Sequence, residues 1–118
     1  MNNIRIAENF HLHEFQCKDG SHQVVLHSEL LRRLQQMRSA LGRPLIINSG
    51  YRNAEHNTRV GGSPGSYHLR GMAADIVVRG LPLAELAAAA RKAGFRGIGT
   101  YSSFVHVDIR DQRTEWKG

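Results

Sequence analysis

Apolar residues recur every three or four positions through "HSELLRRLQQMRSALG", at Leu30, Leu31, Leu34, Met37 and Leu41, with arginines and glutamines between them. That period predicts a packing helix with a charged outer face, N-capped by Ser28 and closed by Gly42 just past its end. Pro44 then leads into "LIIN", a short apolar run that reads as a buried strand delivering the chain to "SGYR". A second, shorter helix is expected in "NAEHNTRVGG", where Asn53 can cap, Glu55 sits in the first turn, Arg59 lies near the last, and Gly61 can take the left-handed closing position. The glycine-rich "GGSPGS" predicts an exposed, irregular loop as far as His68.

Downstream the period changes. "AADIVV" reads as a buried strand and "LPLAELAAAARKAG" as a helix with Pro82 in its first turn and Gly94 after its end. "GIGTY" and "FVHVDI" read as two strands joined by Ser102 and Ser103. Strict alternation in the last of these puts Val105, Val107 and Ile109 on one side and Phe104, His106 and Asp108 on the other. Helices and strands in mixed order, ending in an antiparallel hairpin, predict an α+β domain with a small, mostly antiparallel sheet flanked by helices. With no repeat, low-complexity stretch or linker in the 118 residues, one domain spanning 1–118 is expected, and one site must carry its function.

Composition narrows the function classes. Hydrophobic residues at 41% and charged residues at 22% are those of a chain that folds by itself. The net charge of +6 favours anionic partners, but the basic residues are spread along the chain without a run or aromatic interleaving, so nucleic acid is not the expected partner. Cys17 is the only cysteine, which excludes an intrachain disulfide, a four-cysteine zinc site and a CxxC motif, and it is expected to be a small buried hydrophobe. The N-terminal "MNNIRIAENFHLHEF" holds no apolar stretch of signal-peptide length, and nothing approaches a membrane span. A monomer is expected.

The chemistry concentrates in "SYHLRGMAAD" and "FVHVDI". Asp75 lies in the expected strand among Ala73, Ala74 and Ile76, where an ionised carboxylate without a partner costs several kcal/mol. Something positive must sit beside it: a basic side chain such as Arg52, or a metal ion. Zinc takes imidazole nitrogen and carboxylate oxygen, and a catalytic site uses three protein ligands with the fourth position left to water. His68, Asp75 and His106 are such a set, while a core histidine and a buried ion pair are the structural alternatives.

These residues resemble a family. Ser66, His68, Gly71, Ala73 and Asp75 reproduce the SxHxxGxAxD pattern of the zinc D-Ala-D-Ala carboxypeptidases, part of the superfamily that joins lysostaphin-type enzymes, these carboxypeptidases and hedgehog. "SGYR" upstream and "HVD" downstream are similar to the flanking motifs, "FHLHEFQCKDG" resembles the start of the small peptidase branch, and "HVDIRDQRTEW" its end. The resemblance implies that His68, Asp75 and His106 bind Zn²⁺, and that the substrate is a peptide of bacterial peptidoglycan, hydrolysed by carboxypeptidase or endopeptidase action of a metal-activated water. It further implies that Arg52 pairs with the developing oxyanion or a substrate carboxylate, and that Ser66 hydrogen-bonds substrate; otherwise Arg52 is an ion-pair partner for Asp75 and Ser66 a turn former.

One departure from the family pattern bears on mechanism. Many members carry Glu or Asp three residues before the last histidine ligand as general base, and here that position is Ser103. Asp108, on the same strand face as His106, is the nearest replacement, either as base or as a carboxylate that orients the ligand. Glu55 and His56 are read as helix-surface and capping residues, and His11, His13, His22 and His27 as surface or loop residues. Tyr51, Tyr67 and Tyr101 flank the site without an assigned role, and Trp116 is expected to cap the core. The loss of the acid keeps a second reading open, a non-hydrolytic zinc-containing domain of the same fold that recognises wall peptides. The wall is the expected place of action, whether as a phage lysin or particle component or as a periplasmic enzyme with its leader removed.

Overall fold

The computed structural model describes all residues from Met1 to Gly118. A short hairpin opens the chain, β1 (Arg5–Ala7) against β2 (Phe10–His11), followed by a 3-10 turn at Leu12–Phe15. The main body runs α1 (Ser28–Leu41), β3 (Ile46–Ser49), α2 (Ala54–Arg59), a second 3-10 turn (Tyr67–Arg70), β4 (Ala73–Val77), α3 (Leu83–Lys92), β5 (Gly97–Thr100), β6 (Val105–Asp108) and β7 (Thr114–Lys117). Strands β3 to β7 form one sheet in the order β3-β4-β6-β5-β7, antiparallel at every pairing except β5 with β7, which is parallel. This is the expected α+β architecture. No helix is long and apolar enough to cross a membrane.

One face of the sheet is the core. Ala74 and Ile76 from β4, Val105 and Val107 from β6 and Ile98 from β5 meet Leu30, Leu34 and Met37 of α1 and Leu86, Ala87 and Ala90 of α3, all buried. Helix α1 owes its existence to this stripe, since its polar positions have no structural reason to be helical without the apolar face that packs. Cys17 is buried, as expected of a small hydrophobe.

The ends of the elements differ from expectation in small ways with clear causes. The N-cap of α1 is His27, whose Nδ1 accepts from the Glu29 amide at 3.1 Å, and Ser28 is already helical. A histidine ring nitrogen can take the role of a serine oxygen when the backbone brings it two residues from the free N–H. Pro82 is likewise the residue before α3, not part of its first turn. Asn53 caps α2 as expected, accepting from the His56 amide at 2.9 Å.

The larger difference is at the C-terminus. "TEWK" forms β7, which pairs with β5 in the register Gly97↔Thr114 and Gly99↔Trp116. Trp116 therefore does not cap the core: it lies on the opposite face of the sheet from α1 and α3, with its ring 5.4 Å from the His106 ring.

Candidate metal centre

Strand register builds the site. Ser49, Asp75, His106, Gly99 and Trp116 are successive cross-strand partners, one from each of β3, β4, β6, β5 and β7, and form a row on the face away from the helices. A second row two residues along holds Ala73, Asp108, Gly97 and Thr114. Neighbours across an antiparallel pair sit with their Cβ atoms about 5 Å apart, so register alone brings Asp75 and His106 together. Both glycines of "GIG" serve this face. A Cβ on Gly97 would collide with the Asp108 carboxylate, and one on Gly99 with the Trp116 indole.

His68 arrives from outside the sheet. It stands in the 3-10 turn that Ser66 caps, the serine oxygen accepting from the His68 amide at 3.2 Å, and the turn closes on Gly71 in the left-handed conformation at φ 67°. A side chain at Gly71 would be strained and would also strike the Val25 carbonyl. The imidazole is then fixed from behind, with Nδ1 2.7 Å from the Gly50 carbonyl. A carbonyl only accepts, so Nδ1 carries the proton and Nε2 presents its lone pair forward.

The same logic orients His106. Its Nε2 lies 2.7 Å from Asp108 Oδ2, an acceptor, so Nδ1 is the forward nitrogen. His68 Nε2 and His106 Nδ1 converge on Asp75 Oδ1 at 3.2 and 3.1 Å. One donor atom from each of the three residues can be chosen such that all lie within 4.8 Å of one another. Two imidazole lone pairs facing one carboxylate oxygen repel it unless a proton or a cation lies between. Donors held about 2.0–2.2 Å from a tetrahedral ion stand about 3.3 Å apart, so this set fits a small divalent cation such as zinc.

A proton on a forward ring nitrogen can take the cation's place against Asp75. Burial alone would push the Asp75 carboxyl up, but hydrogen bonds to His106 and His68 outweigh it and hold the group well below the usual carboxylate range. Burial would likewise push His106 down, and the flanking Asp108 and Asp75 carboxylates more than offset it.

Arg52 follows β3 and answers the question of what neutralises Asp75. Its Nη2 donates to Asp75 Oδ2 at 3.1 Å, Nη1 to Asn57 Oδ1 at 3.2 Å, and Nε to Ser49 Oγ at 3.1 Å. Asp75 thus has the basic partner that its burial called for, a guanidinium on one oxygen, with the histidine pair at the other. Arg52 lines the cleft, yet all three of its nitrogens are engaged by protein acceptors. Asn57, buried and also donating to the Ser63 carbonyl at 2.8 Å, was not foreseen; a lone asparagine in a short helix carries no signal of its own.

Asp108 does not reach the cleft. It is fully buried and accepts from His106, from the Arg110 backbone at 3.1 Å, and from Arg110 Nε and Nη2 at 2.8 and 2.7 Å. Burial opposes its charge, but the Arg110 and His106 hydrogen bonds hold it well below the usual carboxylate range. A weakly basic carboxylate with its lone pairs occupied matches the orienting role, not that of a base that collects a proton from the cleft. Ser103 is exposed in the β5–β6 turn, and His13, His22 and His27 are exposed elsewhere.

The cleft above this centre has a volume of about 460 Å³. The α2-to-turn loop, with Gly62, Ser63 and Ser66, forms one wall, and Tyr67, Tyr101, Phe104, Arg110 and Trp116 form much of the rest. Apart from Asp75 no carboxylate lines it.

Residues 8–108 match the sequence profile of the family described as peptidase M15. The chain is 42% identical over 87 residues to a zinc D-Ala-D-Ala carboxypeptidase of Streptomyces albus G, covering 69% of this chain and 34% of that protein. It is 33% identical over 93 residues to the peptidoglycan L,D-endopeptidase MepK of Escherichia coli K12, covering 71% of this chain and 51% of that protein. A probable peptidoglycan L,D-endopeptidase MepK of Haemophilus influenzae is 38% identical over 76 residues, 58% of this chain and 40% of that protein. The matched segment thus spans between about a third and half of these relatives.

Proposed function

The chain belongs to the peptidase M15 family, and from that premise and the convergence of His68, Asp75 and His106 we propose that it is a zinc-dependent peptidase hydrolysing a peptide bond in the stem peptides or cross-links of bacterial peptidoglycan. The convergence of two tautomer-fixed imidazoles on one buried carboxylate oxygen carries the reading, because a structural salt bridge needs no such pair of forward lone pairs. Relatives named for zinc and for peptidoglycan supply the metal and the substrate class.

Zinc bound by these three residues supplies Lewis-acid polarisation of the scissile carbonyl and an acidified water. The protein's own residues do the rest. Gly50 and Asp108 hold the two imidazoles in the ligating tautomer, and the Arg52 hydrogen bond aims the Asp75 carboxylate. Ser66, whose oxygen caps the His68 turn, has its hydroxyl proton left to donate to a substrate carbonyl. With Ser103 at the usual acidic position and Asp108 behind His106, this chain offers no separate carboxylate base. The protein acts on the wall, as a monomer.

Digestion of purified peptidoglycan by the zinc-loaded protein, with mass spectrometry of the fragments, tests the proposal. New peptide termini that vanish in His68→Ala are expected, and their positions name the bond. Stoichiometric zinc with no cleavage of any wall chemotype would sink it in favour of a zinc-containing recognition domain.

A further inference from the structure

Two arginines line the cleft, and they are not equivalent. Arg52 gives one N–H of each nitrogen to Ser49, Asn57 and Asp75, so that no nitrogen is free of a protein acceptor, and 14% of its side chain is exposed. Arg110, with 22% exposed, places only its Nε and Nη2 on Asp108, and Nη1 has no protein acceptor. A guanidinium has two edges that can each grip a carboxylate: the one made by Nε and one Nη, and the one made by the two Nη atoms. In Arg110 the first edge is filled by Asp108 and the second is free.

The group is also held in place. The Arg110 Cζ lies 5.0 Å from the Tyr67 ring centroid and 4.9 Å from that of Trp116, so the cation sits against two aromatic faces that line the same cleft. Little side-chain entropy remains to be lost on binding, and the aromatic walls keep out the water that would weaken a charged hydrogen bond. A single oxygen, Asp108 Oδ2, accepts from both His106 Nε2 and Arg110 Nη2 at 2.7 Å, so the guanidinium and a metal-site imidazole share one carboxylate. Charges point the same way: Arg52 and Arg110 cancel Asp75 and Asp108, so a divalent ion leaves the cleft positive with no acidic residue to answer it.

We propose that Arg110 is a substrate-recognition residue of this cleft, binding a carboxylate of the peptide through its free guanidinium edge. The inference rests on the peptidase reading only for the identity of the peptide. Selection for a carboxylate-bearing stem follows, with amidated stems disfavoured.

The test is a cycle of protein and ligand changes. Soluble stem-peptide fragments, native and with their carboxylates converted to carboxamides, are titrated by calorimetry into the zinc-loaded protein, its Arg110→Gln and Arg110→Lys variants, and Arg70→Gln. Arg70 is exposed and also lies over Tyr67 but does not line the cleft, so it controls for net charge. Wild type and Arg70→Gln should prefer the native fragments about tenfold to a hundredfold, Arg110→Gln should lose that preference, and Arg110→Lys should recover only part of it. Equal affinity for both fragment forms in wild type, or an undiminished preference in Arg110→Gln at matched zinc content, overturns the proposal. Should the variants fail to fold, side-chain NMR of the wild type decides: the Arg110 guanidinium resonances must move with native fragments and stay with amidated ones. A preference that tracks Arg110 without cleavage leaves the receptor standing and removes the peptidase, whereas cleavage with no preference does the reverse.

Discussion

The two faces of strands β4 and β6 are built from alternate residues of the same nine positions, and they work by different physics. Ala74, Ile76, Val105 and Val107 face the helices and hold by contact area alone. Asp75, His106 and Asp108 lie on the opposite face, the one that carries the cleft, where every group has a designated partner: Arg52 and His68 for Asp75, Arg110 for Asp108. Area is forgiving, since a neighbour of similar volume can substitute at modest cost. Directed hydrogen bonds are not, because removing one partner leaves the other buried and unanswered. The apolar face therefore governs stability and the polar face function, and substitutions should separate the two.

The largest separation is expected at the ligands. His68→Ala should remove stoichiometric zinc and, with it, several kcal/mol of transition-state stabilisation, a loss of about a thousandfold or more in hydrolysis. Circular dichroism should remain that of a folded α+β domain. Elemental analysis beside a rate assay checks this, and a chelator should reproduce the loss in wild type, with zinc restoring it. Full hydrolysis by His68→Ala would break the distinction between the faces.

Across the sheet the reverse is expected. Ile76→Ala empties volume in the fully buried core and should cost about 2–5 kcal/mol in urea unfolding, while zinc affinity measured well below the transition stays unchanged. A fall in zinc affinity parallel to the fall in stability would show that the metal site has no rigidity of its own.

Asp108→Asn sharpens the comparison within the polar face. The amide has nearly the shape of the carboxylate but no charge for His106 and Arg110, so zinc affinity should fall about tenfold to a hundredfold. Hydrolysis at saturating zinc should persist. If hydrolysis is abolished at full zinc occupancy, Asp108 acts as the base after all.

Much of this could be read from residues whose signal is local. The apolar stripe of α1, the alternation in "FVHVDI" and the capping asparagine of α2 each fix a structure through neighbours a few positions away. What could not be read depends on partners far along the chain. "TEWK" has no apolar alternation, and becomes a strand because β5 offers it an edge. Gly97 and Gly99 look like flexibility in a strand and are space for Asp108 and Trp116. Alternation put Asp108 on the site's face, but only the structure shows Arg110, two residues on, turned back over it.

The smallest effect tests whether charge at the helix face stays peripheral. Glu29, in the first turn of α1, accepts from Arg33 Nε at 3.1 Å and Arg96 Nη1 at 3.2 Å, and Arg96 also donates to the Ile109 carbonyl at 2.7 Å. This ties α1 to the end of β6 at the rim of the core. The Arg33 and Arg96 hydrogen bonds hold the glutamate below its ordinary value. A carboxyl with a depressed folded value contributes stability above its unfolded value, and loses it as pH falls through the folded one. Glu29→Gln should therefore cost about 0.5–1 kcal/mol at neutral pH, because a partly exposed pair is screened by solvent, and the difference from wild type should shrink steadily below about pH 4. Paired unfolding curves at neutral and acidic pH measure it. A cost of several kcal/mol would mean that the helix layer, like the cleft, depends on a designated partner, and that the two faces differ in degree only.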